Sequence, residues 1–191
     1  MLKKLQIFIL NKIKTHHLIT LSIITLIFLI IMNFAIFPKI TANAGGLRVF
    51  DLKWFTGYDY DFACAFVSSI GSQGKHVYLH YQLPLDFIFI LVYTSTLLFW
   101  IVKIFKRLNF FTATPLLIML IDFTENACIY SMLTKTDVSK TLVTLSSCMT
   151  ICKSISLVLV LLFASIHLYA NFITNRKNDY INLTSKSKDS T

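Results

Sequence analysis

Asp86, Asp122, Glu125 and Lys153 carry charge inside stretches of otherwise apolar sequence. An ionisable side chain at membrane depth costs about 2.5–3.5 kcal/mol on insertion scales. Such groups pair across a bundle, face its interior or line a polar cavity. Three kinds of chemistry are open to this set. A lysine and a glutamate can clasp two helices in register. A charged chamber can hold the polar end of a ligand. A carboxyl with a raised pKa can act as a general acid or base. One lysine against three carboxylates leaves two negative charges in excess. A low-dielectric site resists that excess. Either a carboxyl is protonated, or positive charge arrives from Arg48, Lys53, Lys75, His76, His80 or a cationic ligand.

The elements that position these residues are membrane helices. The chain has 191 residues, 55% of them hydrophobic and 14% charged, with a mean hydropathy of +0.68. Soluble domains carry about 25% charged residues. The sequence therefore predicts an all-α integral membrane four-helix bundle. Its four spans run at about 18–37, 83–104, 112–133 and 142–170, each near or above the roughly 20 residues that cross a bilayer. Pro38 is expected to end the first. The membrane domain is thus 18–170, with a basic leader at 1–17 and a polar tail at 171–191 expected to be disordered. Short turns at 105–111 and 134–140 imply antiparallel neighbours.

The net charge of +9 is no mark of nucleic acid, because the basic residues flank the spans. Eleven lie in the leader, at 103–107 around the turn between the second and third spans and in the tail, and six on the other side. The positive-inside rule then puts both termini in the cytoplasm and 38–82 outside. The organisation fits a bacterial-type plasma membrane. A signal peptide is the competing reading of the first span, since Ala42-Asn43-Ala44 imitates a cleavage site. The apolar region is longer than the usual 7–15 residues of such a signal.

The external segment, 38–82, is aromatic rather than linker-like, with Phe50, Leu52, Trp54, Phe55, Tyr58 and Tyr60. It should pack at the outer mouth or at headgroup level. Thr56-Gly57 reads as a turn. Asp59 or Asp61 can cap an amphipathic helix that buries Phe62, Ala63, Phe66, Val67 and Ile70 and ends at Gly71. Ser72 can cap the next helix. That helix starts near Gln73 or Gly74, bends at Pro84 and aligns Lys75, Tyr78, Gln82, Asp86 and Tyr93 on one face. On the third span Asp122, Glu125 and Asn126 share a face. On the fourth, Ser146, Thr150, Lys153 and Ser154 form a polar stripe. At 1.5 Å per residue all four charges fall in the outer half or near the midplane, about 5–18 Å deep. Facing inward, they form one cavity open to the outside, with Asp86, Asp122, Glu125, Asn126 and Lys153 as its ligand-binding residues and Tyr78 and Gln82 at its mouth.

Other motifs carry less. Cys64, Cys128, Cys148 and Cys152 form no C-x-x-C pair. Cys148 and Cys152 read as packing residues, and a disulfide from Cys64 to Cys128 or Cys148 stays open. His76 and His80 are one helical turn apart, a spacing that can bind metal, but they lack the glutamate of H-E-x-x-H. They are weak metal candidates, and no cofactor is expected. Gly71-Ser72-Gln73-Gly74-Lys75 lacks the Walker spacing and reads as a turn.

Taken together, Gly74-Lys75, Tyr78, Asp86, Asp122-x-x-Glu125-Asn126 and Lys153 resemble a group of bacterial four-span membrane proteins of no established activity. That group carries Gly-Arg/Lys-x-x-Tyr before an Asp-bearing second span, then Asp-x-x-Glu-Asn on the third. The external Phe50-Asp51-Leu52 and Gly57-Tyr58 resemble it too, so that the likeness covers about 47–165. The group has an aromatic-proline pair after the second-span Asp. Here Phe87-Ile88-Phe89 stands instead, with Pro84 earlier. The resemblance implies the same site and adds no chemistry. The layout is also similar to sterol-isomerase-like four-helix bundles with acidic pockets, in architecture alone.

The expected function is binding of a small polar or amphiphilic ligand by a multi-pass protein in contact with the lipid bilayer. The alternatives are a lipid hydrolase or isomerase with Glu125 or Asp122 as acid or base, and an assembly subunit whose charges pair with a partner. Oligomeric state is not readable from the sequence.

Overall fold

The computed structural model describes residue 10, residues 12–106 and residues 110–188; residues 1–9 and 11 of the leader, 107–109 between the second and third spans and 189–191 of the tail lie outside them. The described residues are helical or in short connections, with no strand. Four helices are long and apolar enough to cross a membrane: Thr15–Asn43, Gly71–Phe105, Phe111–Thr134 and Lys140–Ile173. The protein is a multi-pass membrane protein built as a four-helix bundle.

The first span is α1 (Thr15–Ile31), a π-turn at Met32–Ile36 and α2 (Phe37–Asn43). Pro38 does not end it, contrary to the expectation. A proline inside a helix lacks an N–H and its ring clashes with the carbonyl four residues back. Here the widened turn just before it relieves the clash, with the Phe37 N–H donating to the Met32 carbonyl. The second span repeats the device. α4 (Gly71–Val77) passes through a π-turn at Tyr78–Gln82 into α5 (Leu83–Phe105), with the Leu83 N–H bonded to the Tyr78 carbonyl and Pro84 directly after. Gly71 begins this helix outright, and Ser72 does not cap it; Ile70 stands at the cap.

The third span is α6 (Phe110–Thr134). The fourth helix, α7 (Lys140–Lys188), continues beyond the membrane-length part. The segment expected to be disordered from Asn171 is helical as far as Lys188. No glycine or proline interrupts 140–188, so nothing in the sequence stops the helix.

The second, third and fourth spans pack in sequence order, second on third and third on fourth. The first span packs on the second. Thr25 and Thr96 share a hydroxyl hydrogen bond of 3.0 Å, and the Trp100 indole donates to Ser22 at 3.0 Å. Much of the first span faces outward, with Phe34 81% exposed. Between the first and fourth spans there is a seam.

The segment from 44 to 70 folds over one end of the bundle, expected to be the outer one. Asp59 caps α3 (Tyr60–Ser69) by accepting the Phe62 N–H at 2.8 Å, and Gly71 follows the helix with φ +61°. Ala63, Phe66 and Ile70 are buried, with Phe62 and Val67 packed beside them. Phe50 is the hub of this layer, 4.7 Å from Tyr58 and 4.6 Å from Phe66 between ring centroids. Aromatic pairs of this kind add about 0.5–1.5 kcal/mol beyond their buried area.

One turn ties the layer to the bundle. Gly57 adopts φ +60°, and a Cβ there would lie 2.5 Å from Ser147 Oγ and 2.8 Å from Ile151 Cδ1. The close approach lets the Tyr58 N–H donate to Ser147 Oγ at 2.8 Å and its hydroxyl to Ser146 Oγ at 2.6 Å. Gly57→Ala meets both a left-handed backbone penalty and a clash. It should lower stability by about 1–3 kcal/mol, measured as a shifted thermal melt of the purified protein. An unshifted melt would show that this turn does not tie the loop to α7.

Candidate functional site

Lys153 sits on α7 between two acids of α6. Its Nζ lies 2.8 Å from Asp122 Oδ1 and 2.5 Å from Glu125 Oε2. The steps of three along α6 that align Asp122 and Glu125 bring both to one ammonium. Each acid has a second donor. The Tyr93 hydroxyl, from α5, donates to Asp122 Oδ2 at 2.7 Å. The Thr150 hydroxyl, from α7, donates to Glu125 Oε1 at 2.6 Å. Glu125 is fully buried and Asp122 nearly so. This clasp is the inter-helix pair expected from the sequence, with Asp122 added to it.

Asp86 belongs to the same group but not to the clasp. It is 4% exposed, and Asn126 donates its side-chain amide to Asp86 Oδ2 at 2.6 Å. Asp86 Oδ1 takes no hydrogen bond from a described residue.

The structure adds to the site a fourth acid, which the sequence offered only within the resemblance at Phe50-Asp51-Leu52. Asp51 lies in the 3₁₀ turn Phe50–Leu52 of the external segment and is 8% exposed. The Tyr78 hydroxyl donates to its Oδ2 at 2.6 Å. Tyr78 is fully buried against Phe50 and Phe66, so it holds Asp51 from behind rather than lining a mouth. Burial pushes the Asp51 carboxyl above its ordinary value near 3.8; Lys153 and the Tyr78 hydrogen bond oppose that rise, and the Asp122 charge adds to it. Burial likewise pushes the Tyr58 phenol up, which keeps it a donor to Ser146.

A cavity of about 380 Å³ opens beside these groups. Asp51, Asp86, Asp122 and Lys153 line it, together with Tyr93. Its walls are Thr25, Leu29 and Met32 from the first span and Leu157, Val158 and Leu161 from α7. Trp54 and Phe55 border it from the external segment. The cavity therefore occupies the seam between first and fourth spans, under the folded outer layer.

Of the seven ligand-binding residues expected, Asp86, Asp122 and Lys153 line the cavity. Glu125, Asn126 and Tyr78 stand behind them as hydrogen-bonding support. Gln82 is fully buried one turn outward of Asp86 and is not at the mouth. Neither of its amide atoms has a hydrogen-bond partner among the described residues. His76 and His80 stack at 4.6 Å and are exposed, and neither borders the cavity. Among the described residues no cluster of three or more His, Cys, Asp or Glu side chains is placed to hold a metal ion. All four cysteines are free. Cys148 and Cys152 are exposed on α7 rather than packed inside.

No protein-family model, curated protein or solved structure matches this chain.

Two outcomes are expected from this geometry. Removing one partner of a buried ion pair costs about 3–5 kcal/mol. Glu125→Gln and Lys153→Met should each destabilise, and the double variant should lose less than the two singles together by about 0.5–3 kcal/mol. Strict additivity in a double-mutant cycle would refute the clasp. The second outcome concerns Asp51. A raised carboxyl pKa means that the folded state holds the proton more tightly than the unfolded chain. The stability it contributes is complete below the unfolded value near 3.8 and is lost as pH rises through the folded value. Asp51→Asn keeps an acceptor for Tyr78 without the charge. Its melting temperature relative to the wild type should therefore rise between pH 4 and pH 7. A difference that stays flat, or falls, would contradict the burial of this carboxyl.

Proposed function

We propose that this protein is a multi-pass protein of a bacterial-type plasma membrane that binds a small amphiphilic ligand in the lateral cavity. The observation that carries the reading is the division of the cavity into two chemistries. Its floor is built of Asp51, Asp86, Asp122, Lys153 and Tyr93, and its walls of Leu29, Met32, Leu157, Val158 and Leu161. Ligand pockets are concave, mostly apolar, and hold a few converging polar groups. About 380 Å³ is within their usual range. A head group meets the acids while a hydrocarbon tail lies along the seam, where bilayer lipid can exchange with it. The basic flanks of the spans support termini in the cytoplasm and a site in the outer half of the membrane. The pattern shared with the bacterial four-span group supports the same choice of residues.

The assignment of Asp122 or Glu125 as a general acid or base has less support. Both are engaged by Lys153 and by a hydroxyl, which leaves neither free to exchange a proton with a substrate.

The test is lipid analysis with native mass spectrometry on gently purified protein. A defined amphiphile should copurify in near-stoichiometric amount. Filling the seam by Leu157→Trp should reduce it at least tenfold while the melt stays cooperative. An empty cavity in the wild-type protein, or an occupancy unchanged by the filled seam, would sink the proposal.

A further inference from the structure

The donors and acceptors of the cavity floor are unequally spent. The Tyr78 proton goes to Asp51, the Tyr93 proton to Asp122 and the Asn126 amide to Asp86. Lys153 donates to Asp122, and its ammonium is ion-paired with Glu125. Of the wall hydroxyls, Ser154 donates to the Thr150 carbonyl, and Thr25 and Thr96 spend their two protons on one another and on the Leu21 or Val92 carbonyl. What the floor still offers is mainly acceptor capacity: Asp86 Oδ1, and an Asp51 whose one hydrogen bond from another side chain comes from a neutral phenol.

The charges are as unequal. Four carboxylates surround one ammonium, which leaves three negative charges in excess when all are ionised. Among the described residues Lys153 alone lies within salt-bridge distance of any of them. Lys53, which the sequence offered as a neutralising group, instead stands 4.1 Å from the Phe62 ring centroid. Asp51 and Asp86 thus face the cavity with neutral partners only.

A separate observation is the aromatic lining. Trp54, Phe55, Phe89 and Tyr93 border the same cavity as the two uncompensated acids. Carboxylates beside aromatic faces are the combination that recognises ammonium groups, because the ring quadrupole attracts a cation and does not compete for its hydrogen bonds.

We infer that the ligand head is an ammonium group, seated between Asp51 and Asp86 against the aromatic side chains of the cavity. The inference rests on the amphiphile reading and adds the sign of the head. An anionic head would add to the excess negative charge and find only Lys153, itself already paired with Asp122 and Glu125. A neutral head would leave Asp51 and Asp86 without a counter-charge.

The experiment compares probes of one tail length on the full chain in nanodiscs, each below its micellar concentration. Dodecyltrimethylammonium, dodecanol and dodecyl phosphate are titrated, with binding read by quenching of tryptophan emission and by thermal shift. Tetramethylammonium is the head without the tail. Dodecyltrimethylammonium should bind at least about tenfold tighter than dodecanol and dodecyl phosphate. Asp86→Asn and Asp51→Asn should each bring dodecyltrimethylammonium to within about twofold of dodecanol on the same variant. These are near-isosteric changes, and a cooperative melt shows that each variant is folded. If one fails to fold, the other carries the test. Equal binding of the cationic and neutral probes, or tighter binding of the phosphate, would overturn the ammonium inference and leave the amphiphile reading standing. Binding of no tailed probe would overturn both. Tetramethylammonium binding as tightly as the tailed cation would support the ammonium seat and refute the role of the seam.

Discussion

The bundle is organised by one ammonium held between two carboxylates. Lys153 meets Asp122 and Glu125 across the interface of the third and fourth spans. In lipid, apolar helices gain little from hydrophobic contact with one another, so polar contacts and close packing must define their arrangement. The clasp fixes the register of α7 on α6. Through Tyr93 it also reaches α5. Once these three helices are in register, Ser146 and Thr150 are buried and set to meet Tyr58 and Glu125. The outer layer then has a place to dock. The first span is not part of the clasp. It is held to the second by Thr25, Ser22 and Trp100, and the seam beside α7 is a consequence of that looser attachment.

Much of this was legible in the sequence for a specific reason. The four spans are long and apolar, and the helical period puts Asp122 with Glu125 and Ser146 with Thr150 and Lys153. Residues within helices keep their neighbours whatever the tertiary fold does. Asp51 was not legible from the helical period, because it lies in an irregular turn where no period assigns a face. Its burial depends on the Gly57 turn and on Tyr78, which come from elsewhere in the chain. The signal available was local, a lone acid between Phe50 and Leu52 in an aromatic segment. Pro38 misled for a related reason. A proline ends a regular α-helix, but a π-turn before it removes the clash, and nothing in the sequence around Met32–Ile36 marks that turn.

The two π-turns belong together. They fall at the same place in neighbouring spans, each directly before a proline, and they pack against each other. A π-turn widens a helix and rotates the succeeding residues by a fraction of a turn. On the second span the widened turn contains Tyr78 and Gln82 and stands just before Asp86. The phase of Asp86 relative to Tyr78 is therefore set by this irregularity. Asp51, bound to Tyr78, and Asp86 reach the same cavity because the helix is locally irregular between their anchors.

The polar interior is expensive, and that expense is informative. Apolar residues of similar volume often replace a buried ion pair at no cost or with a gain in stability. A clasp of Lys153 with Glu125 alone would fix register. The present structure goes further, burying Asp51, Asp86 and Asp122 as well and leaving both amide atoms of Gln82 without partners among the described residues. A buried polar group without a partner costs about 1–3 kcal/mol. Folding alone does not call for these groups. Violations of pairing rules tend to fall at functional sites, and Asp51, Asp86 and Asp122 share one cavity. The acids that the clasp does not need, Asp51 and Asp86, line the cavity beside Asp122 and Lys153. The proposed ligand seat rests on this surplus of charge over what the bundle requires.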